Sequence, residues 1–106
     1  MTLRYVPGNV EAYLSYSGQE AIAIVIYVNQ ELSLEGIHKA EQWTQELVDL
    51  AQEHHGTYYL TYQLYPRADQ LRRSYPKIDE FFRPKKFYDP EEVFLNEFYE
   101  KYVTRE

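Results

Sequence analysis

Residues 33–54 read SLEGIHKAEQWTQELVDLAQEH and carry the clearest structural signal in the chain. Ser33 is a residue type that caps helix N-termini, and Gly56 follows where a left-handed residue often ends a helix. Between them, apolar or small residues recur with the helical period. These positions are Ile37, Ala40, Thr44, Leu47, Val48 and Ala51, and Trp43, Leu50 and His54 widen the same stripe. The pattern predicts an amphipathic helix over 33–54.

Three segments around this helix have the composition of strands. Residues 21–30, AIAIVIYVNQ, are apolar and mostly β-branched, which is typical of a central strand. Residues 11–17, EAYLSYS, precede a turn at 17–20 and are predicted to pair with 21–30 as a hairpin. Residues 57–65, TYYLTYQLY, predict a third strand that ends at Pro66. Residues 1–10 show no period and predict a loose leader.

The remaining elements complete an α+β fold class. Short helices are predicted over 68–74 and 77–87, separated by Pro76, and Asp89 with Pro90 predicts one more helical turn. The expected domain, 11–106, is a small antiparallel or mixed sheet covered by the long helix, forming part of a ferredoxin-like arrangement. A sheet of so few strands has an open edge, so a homodimer or docking onto another domain is expected.

The composition of the 106 residues disfavours several classes of function. A net charge of −6 argues against binding to nucleic acid or to an anionic membrane. The absence of cysteine excludes disulfides and thiolate chemistry. No apolar run reaches the ~20 residues that span a bilayer, and no secretion signal is evident, so we expect a cytoplasmic protein. His38, His54 and His55 are not spaced as metal ligands, so no metal is expected.

Two compositional features leave alternatives open. Twelve tyrosines and five phenylalanines fit either a core that is partly solvated at its edges or a surface that binds a ligand, another domain or a second copy of the chain. Seven of the eleven basic residues fall within 67–86. This cluster is either a solvated helical face, neutralised within the chain, or a patch that faces an anionic cofactor or an acidic partner.

The last third of the chain has an ordered set of motifs. Residues 75–102 contain, in sequence, Tyr75-Pro76, Phe81, Lys85-Lys86, Asp89-Pro90 and Phe94-Leu95-Asn96. This order resembles the C-terminal region of FAD-linked oxidases of the vanillyl-alcohol-oxidase type, a group that includes aldonolactone, alditol and decaprenylphosphoryl-ribose oxidases. The resemblance extends over about residues 11–102.

The resemblance implies a cap that walls the substrate pocket over a flavin. Residues 57–65 would match the family's active-site strand, with Tyr59 at its aromatic position and Tyr62 in place of a lysine. Tyr59, Tyr62 and Gln63 are therefore candidate substrate-pocket residues, whereas no residue is predicted to be catalytic. The four glycines are scattered, so no phosphate-binding loop is present. FAD would be held by a missing domain or a separate subunit, and the isolated chain would be inactive.

A second hypothesis comes from a different class of protein. The chain would then be a stand-alone α+β module for binding or dimerisation, with a tyrosine-rich interface. Retention of flavin in a complex with a flavin-binding domain would favour the first hypothesis. A colourless homodimer would favour the second.

Overall fold

A computed structural model of the chain describes residues 1–103. Within these residues the chain forms two strands, β1 (Thr2–Val6) and β2 (Ala21–Val25), followed by four helices. The helices are α1 (Leu34–Glu53), α2 (Ala68–Ser74), α3 (Ile78–Tyr88) and α4 (Glu97–Tyr102). The predicted α+β class is confirmed. None of the helices among the described residues combines the length and apolarity needed to cross a bilayer.

The hairpin is antiparallel, but its first strand is not the predicted one. β1 lies within residues 1–10, which were expected to be a leader, and it pairs Leu3 with Ile24 and Tyr5 with Ile22. Residues 11–17 form turns instead of a strand. The side chain of Asn9 accepts hydrogen bonds from the backbone N–H groups of Glu11 and Ala12, at 3.0 and 3.2 Å. This Asx turn curls the chain at the point where a strand was predicted.

The long helix is confirmed, with a correction at its C-terminus. Ser33 accepts a hydrogen bond from the Gly36 N–H at 3.0 Å, as expected of an N-cap. The left-handed residue that ends α1 is His55, with φ of 61°, and not Gly56. Gly56 donates to the Ala51 carbonyl at 2.7 Å, and His55 donates to that of Gln52 at 3.1 Å. These two bonds form a Schellman motif one residue earlier than predicted.

The hydrophobic core lies in the C-terminal part of the chain, not between α1 and the sheet. α1 packs on α2, and its buried side chains are Ala40, Val48 and Gln52. The expectation that this helix covers the sheet is therefore wrong. The buried cluster is built from α2, α3, α4 and the residues next to them, namely Leu71, Tyr75, Ile78, Phe82, Tyr99, Tyr102 and Val103.

Residues 57–65 are not a strand. Tyr58, Leu60 and Leu64 pack against the core cluster, so the alternation of inward and outward side chains is partly kept. The backbone, however, pairs with side chains from elsewhere in the chain. The Tyr58 carbonyl accepts from the Tyr75 hydroxyl, and the Tyr65 carbonyl accepts from Gln45 Nε2 at 2.8 Å. The expected third strand is absent, and the partial ferredoxin-like arrangement is not confirmed.

The short helices are predicted well except the last one. α2 and α3 agree with the expected ranges 68–74 and 77–87. Asp89 and Pro90 do not open a helix. The Asp89 carboxylate accepts from the N–H groups of Val93 and Phe94, at 2.9 and 3.0 Å, and closes a loop in which Glu92 has a φ of 54°. α4 begins later, with Asn96 as its N-cap.

Candidate interaction surface

One face of the hairpin carries four large apolar side chains that remain open to solvent. Leu3 and Tyr5 from β1 lie opposite Ile24 and Ile22 from β2, and together we call them the hairpin patch. Their exposed fractions are 62%, 65%, 60% and 61%, in that order. On the opposite face Val6, Ala23 and Val25 are half-buried, whereas Thr2, Arg4 and Ala21 are exposed. Because strand side chains alternate between faces, the hairpin is apolar on its open side.

The hairpin patch is also electrically neutral. No charged residue occurs between Ala21 and Gln30, in a chain whose net charge is −6. Arg4, the one charge within β1, pairs with Ala23 and so belongs to the other face. At the rim, the Tyr5 hydroxyl donates to the Glu20 carboxylate at 3.0 Å. Depletion of charge at the centre of a surface is typical of protein interfaces.

The sequence contained a signal for this surface that the strand prediction did not use. In Ala21–Val25 the large isoleucines alternate with small alanines. A strand covered on both faces does not need that alternation, whereas a strand with one large-residue face shows it. In Thr2–Val6, Leu3 and Tyr5 alternate with Thr2, Arg4 and Val6, so the two largest apolar side chains of β1 also fall on one face.

The structure brings two of the three predicted substrate-pocket residues together, on an exposed turn. The Tyr59 ring packs edge-on against Tyr62, with centroids 5.7 Å apart, and against Tyr16 at 5.0 Å. Tyr59 and Tyr62 are 49% and 67% exposed, and Gln63 is also exposed. These rings form a surface ladder of aromatic residues, not the wall of an enclosed cavity.

The residues that carry the resemblance have structural contacts. Tyr75 is buried, Lys85 forms an ion pair with Asp89, and Asn96 accepts from the Tyr99 N–H at 2.8 Å. The pKa of Asp89 is lowered to about 2 by the hydrogen bond from Lys85, then by those from the backbone N–H groups of Phe94 and Val93. Asn96 is thus the N-cap of α4. Pro76, Lys86, Pro90 and Phe94 lie at the surface.

A shallow apolar pocket of about 510 Å³ lies beside α3. Its lining is largely aromatic, and four of its residues belong to the resemblance motifs: Phe81, Lys85, Asp89 and Phe94. Tyr13, Pro84 and Tyr88 complete the lining. Because Lys85 already forms an ion pair with Asp89, the described residues that line the pocket offer ring contacts and no free cation for a phosphate group.

Several members of the basic cluster are neutralised inside the chain. Arg67 forms ion pairs with Asp49 and Asp69, and Arg72 forms one with Asp79. These contacts support the interpretation as a solvated face balanced by neighbouring acids. In the part of the chain that the structure describes, no group of three or more histidines and carboxylates is placed to hold a metal ion.

Comparisons of the chain with models of protein families, with curated proteins and with solved structures found no match in any of the three.

Proposed function

We propose that this chain is a protein-binding module and that the hairpin patch is its binding surface. The observation that carries the proposal is the exposure of Leu3, Tyr5, Ile22 and Ile24, each at least 60% open to solvent on one face. Burying apolar surface contributes roughly 25 cal/mol per Å², so a partner that covers this face would recover free energy that folding leaves unused. Contiguous exposed apolar patches mark such sites more often than scattered residues do.

The division of the fold supports this proposal. The core cluster draws its buried side chains from Leu71 onwards, and the partly buried residues packed on it do not come from β1 or β2. The apolar residues of the hairpin patch therefore do not stabilise the helical core.

Site-specific photo-cross-linking tests this function directly. A benzophenone amino acid replaces Ile24 in the full chain, and the matched control places it at Ala21, on the opposite face of the same strand. Irradiation in living cells is expected to give discrete covalent adducts from position 24 and far fewer from position 21. Equal labelling at both positions, or none at either, would overturn the proposal.

A second candidate function is the one that the resemblance implies, a cap over a flavin that a separate domain holds. It is favoured by the pocket beside α3, because four of the resemblance residues line it and its volume lies in the ~300–1,000 Å³ range of small-molecule sites. The exposed ladder of Tyr59 and Tyr62 would then face the substrate, with Gln63 beside it. The paired state of Lys85 means that the flavin diphosphate would have to be bound elsewhere.

The flavin proposal has its own test. The chain is co-expressed with the flavin-binding domain of an aldonolactone-type oxidase that lacks its cap, and the complex is purified through a tag on this chain. A cap role would be supported if flavin co-purifies with the tagged chain. Phe94→Asp should then reduce the amount of flavin at least tenfold, and Phe87→Asp should leave it unchanged. A colourless preparation of the wild-type complex would eliminate this role.

In either role we propose a cytoplasmic location, consistent with a chain that has no cysteine.

A further inference from the structure

We infer that the partner of the hairpin patch is a second copy of this chain, packed face to face about a twofold axis. This inference rests on the proposed function, because it names the partner of the same surface. It commits to a self-complementary interface, in which each residue of one protomer contacts the patch of the other.

The first argument for a second copy is the charge of the surface. In a twofold interface, a charge that lies close to the axis faces its own copy, so the two like charges repel. The hairpin patch has no charge, although the chain as a whole carries −6. Arg4, which would oppose its own copy, lies on the other face. A partner recognised through its cations would be expected to find carboxylates at the centre of the surface, and the carboxylate bound to a patch residue, that of Glu20 on the Tyr5 hydroxyl, lies at the rim.

The second argument is the shape of the patch. The pairs Leu3–Ile24 and Tyr5–Ile22 form two rungs of a short ribbon with one aromatic and three aliphatic side chains. Facing sheets pack about 10 Å apart, with side chains from the two inner faces interdigitated. A twofold axis that lies between the two faces and passes over the centre of these four residues brings large side chains from both copies into contact. The polar turns then lie at the rim.

The third argument is the area available. Met1 and Ile26 flank the hairpin patch along the two strands and are 86% and 50% exposed. With these neighbours, two copies would cover on the order of 1,000 Å² in total, near the lower limit for a specific interface. The inferred dimer is therefore small and exchanges with monomer upon dilution.

Sedimentation equilibrium across a dilution series tests the inference. The wild-type chain is expected to change from dimer to monomer as it is diluted. Ile24→Lys should raise the dimer dissociation constant by roughly 30-fold or more, because it buries a charge in a central contact of both copies. Ala21→Lys adds the same charge to the same strand on the opposite face and should leave the constant within about threefold, since a charge that stays exposed outside the interface contributes little. A monomer at every concentration, or equal effects of both variants, overturns the inference.

A mixing experiment guards against a folding defect in the charged variant. Ile24→Lys and Ile24→Glu are each expected to be weaker dimers than wild type, since each repels its own copy. Mixed in equal amounts, they should form a heterodimer at least tenfold tighter than either homodimer, which a misfolded chain could not do. Absence of this rescue, with circular dichroism showing both variants to be folded, contradicts a twofold contact at this face.

Thiol cross-linking adds a readout that places no charge in the interface. The chain contains no cysteine, so Leu3→Cys and Ala21→Cys each introduce a single thiol. A short bismaleimide should link Leu3→Cys protomers at least tenfold faster than Ala21→Cys protomers, and equal rates would contradict the inference.

If in-cell photo-adducts from position 24 contain only a different protein, the second copy is excluded while the binding module stands. If no adduct forms, both proposals fail.

Discussion

The Tyr75 hydroxyl donates a hydrogen bond to the backbone carbonyl of Tyr58, and the two rings meet edge to face with centroids 5.8 Å apart. Tyr75 is buried, and Tyr58 packs on the same core cluster. The Tyr58 hydroxyl, by contrast, is buried and has no hydrogen-bond partner among the described residues. Burial raises the pKa of both hydroxyls above the usual range for tyrosine. The two phenols thus sit side by side with opposite contributions to stability.

This contrast predicts opposite effects of the same substitution. Tyr75→Phe should lower the free energy of unfolding by about 1–2 kcal/mol, because the Tyr58 carbonyl loses its donor. Tyr58→Phe should raise it by about 1 kcal/mol, because a buried hydroxyl without a partner is removed. Urea denaturation of the two variants and the wild type measures both values. Destabilisation by Tyr58→Phe of more than about 1 kcal/mol would show that its hydroxyl is paired in solution.

Two buried glutamines join α1 to α2, and their loss should be costly. Gln70 Nε2 donates to the Gln45 carbonyl at 2.8 Å and to Asp49 Oδ1 at 2.7 Å, with Gln70 only 1% exposed. Gln52 Nε2 donates to the Gln70 carbonyl and to the Ser74 hydroxyl, both at 2.8 Å. Gln70→Ala should destabilise the fold by about 2–3 kcal/mol, since it removes the two hydrogen bonds that its Nε2 donates and the packing of a fully buried side chain. Gln42→Ala, at an exposed position of α1, should change the stability by less than about 0.5 kcal/mol. Equal effects of the two substitutions in urea titrations would contradict the burial of Gln70.

The ion pair of Lys85 with Asp89 should give the chain a specific acid sensitivity. The folded pKa of Asp89 is about 2, whereas a free aspartate titrates near ~3.9. The stabilisation is therefore complete above the unfolded pKa and is lost as the pH falls towards 2. Between pH 5 and pH 2, wild-type stability should fall more steeply than that of Asp89→Asn. Glu53→Gln, which removes an exposed carboxylate at the end of α1, should keep the wild-type slope. Parallel slopes for all three proteins would show that Asp89 is not stabilised as the carboxylate.

Local signals in the sequence predicted the helices, because helices depend on neighbouring residues. The Ser33 cap, the apolar period and the break at Pro76 together place α1, α2 and α3 within about one residue of their observed ends. The buried face of α1 was predicted less well, since Leu47 and Leu50, which the apolar pattern placed on it, remain exposed.

Trp43 is only half-buried. Replacing a fully buried ring with alanine lowers the free energy of unfolding by roughly 3–5 kcal/mol, so Trp43→Ala should lower it by only about 2 kcal/mol.

Strand pairing was harder to predict because it depends on residues far apart in the chain. β2 could pair with either of two upstream segments, and the Asx turn at Asn9 removes the nearer one. Residues 57–65 have the composition of a strand, but two of their backbone carbonyls accept hydrogen bonds from side chains elsewhere in the chain. Tyr65 accepts from Gln45, and Tyr58 accepts from Tyr75. The exposure of the hairpin patch could not be predicted either, since residues 21–30 are as apolar as a buried strand. Only the alternation of alanine with isoleucine distinguished one face from the other.

The end of α1 supplies a prediction about backbone strain. His55 adopts a φ of 61°, a region that costs a residue with a Cβ roughly 1–2 kcal/mol relative to glycine. His55→Gly should therefore raise the free energy of unfolding by about 0.5–1 kcal/mol, because the gain is partly offset by the greater freedom of glycine in the unfolded chain. Thermal and urea denaturation measure the change.

Two further glycine positions make the comparison specific to that turn. Gly18→Ala has open space around the added Cβ, and should be neutral or slightly stabilising. Gly56→Ala should destabilise the chain, since its Cβ would lie 3.0 Å from the Ala51 carbonyl oxygen that the Gly56 N–H already contacts. If His55→Gly lowered stability while Gly56→Ala lowered it by about 1–2 kcal/mol, the left-handed residue would be Gly56 in solution. The Schellman motif would then sit one residue later, where the sequence alone predicts it.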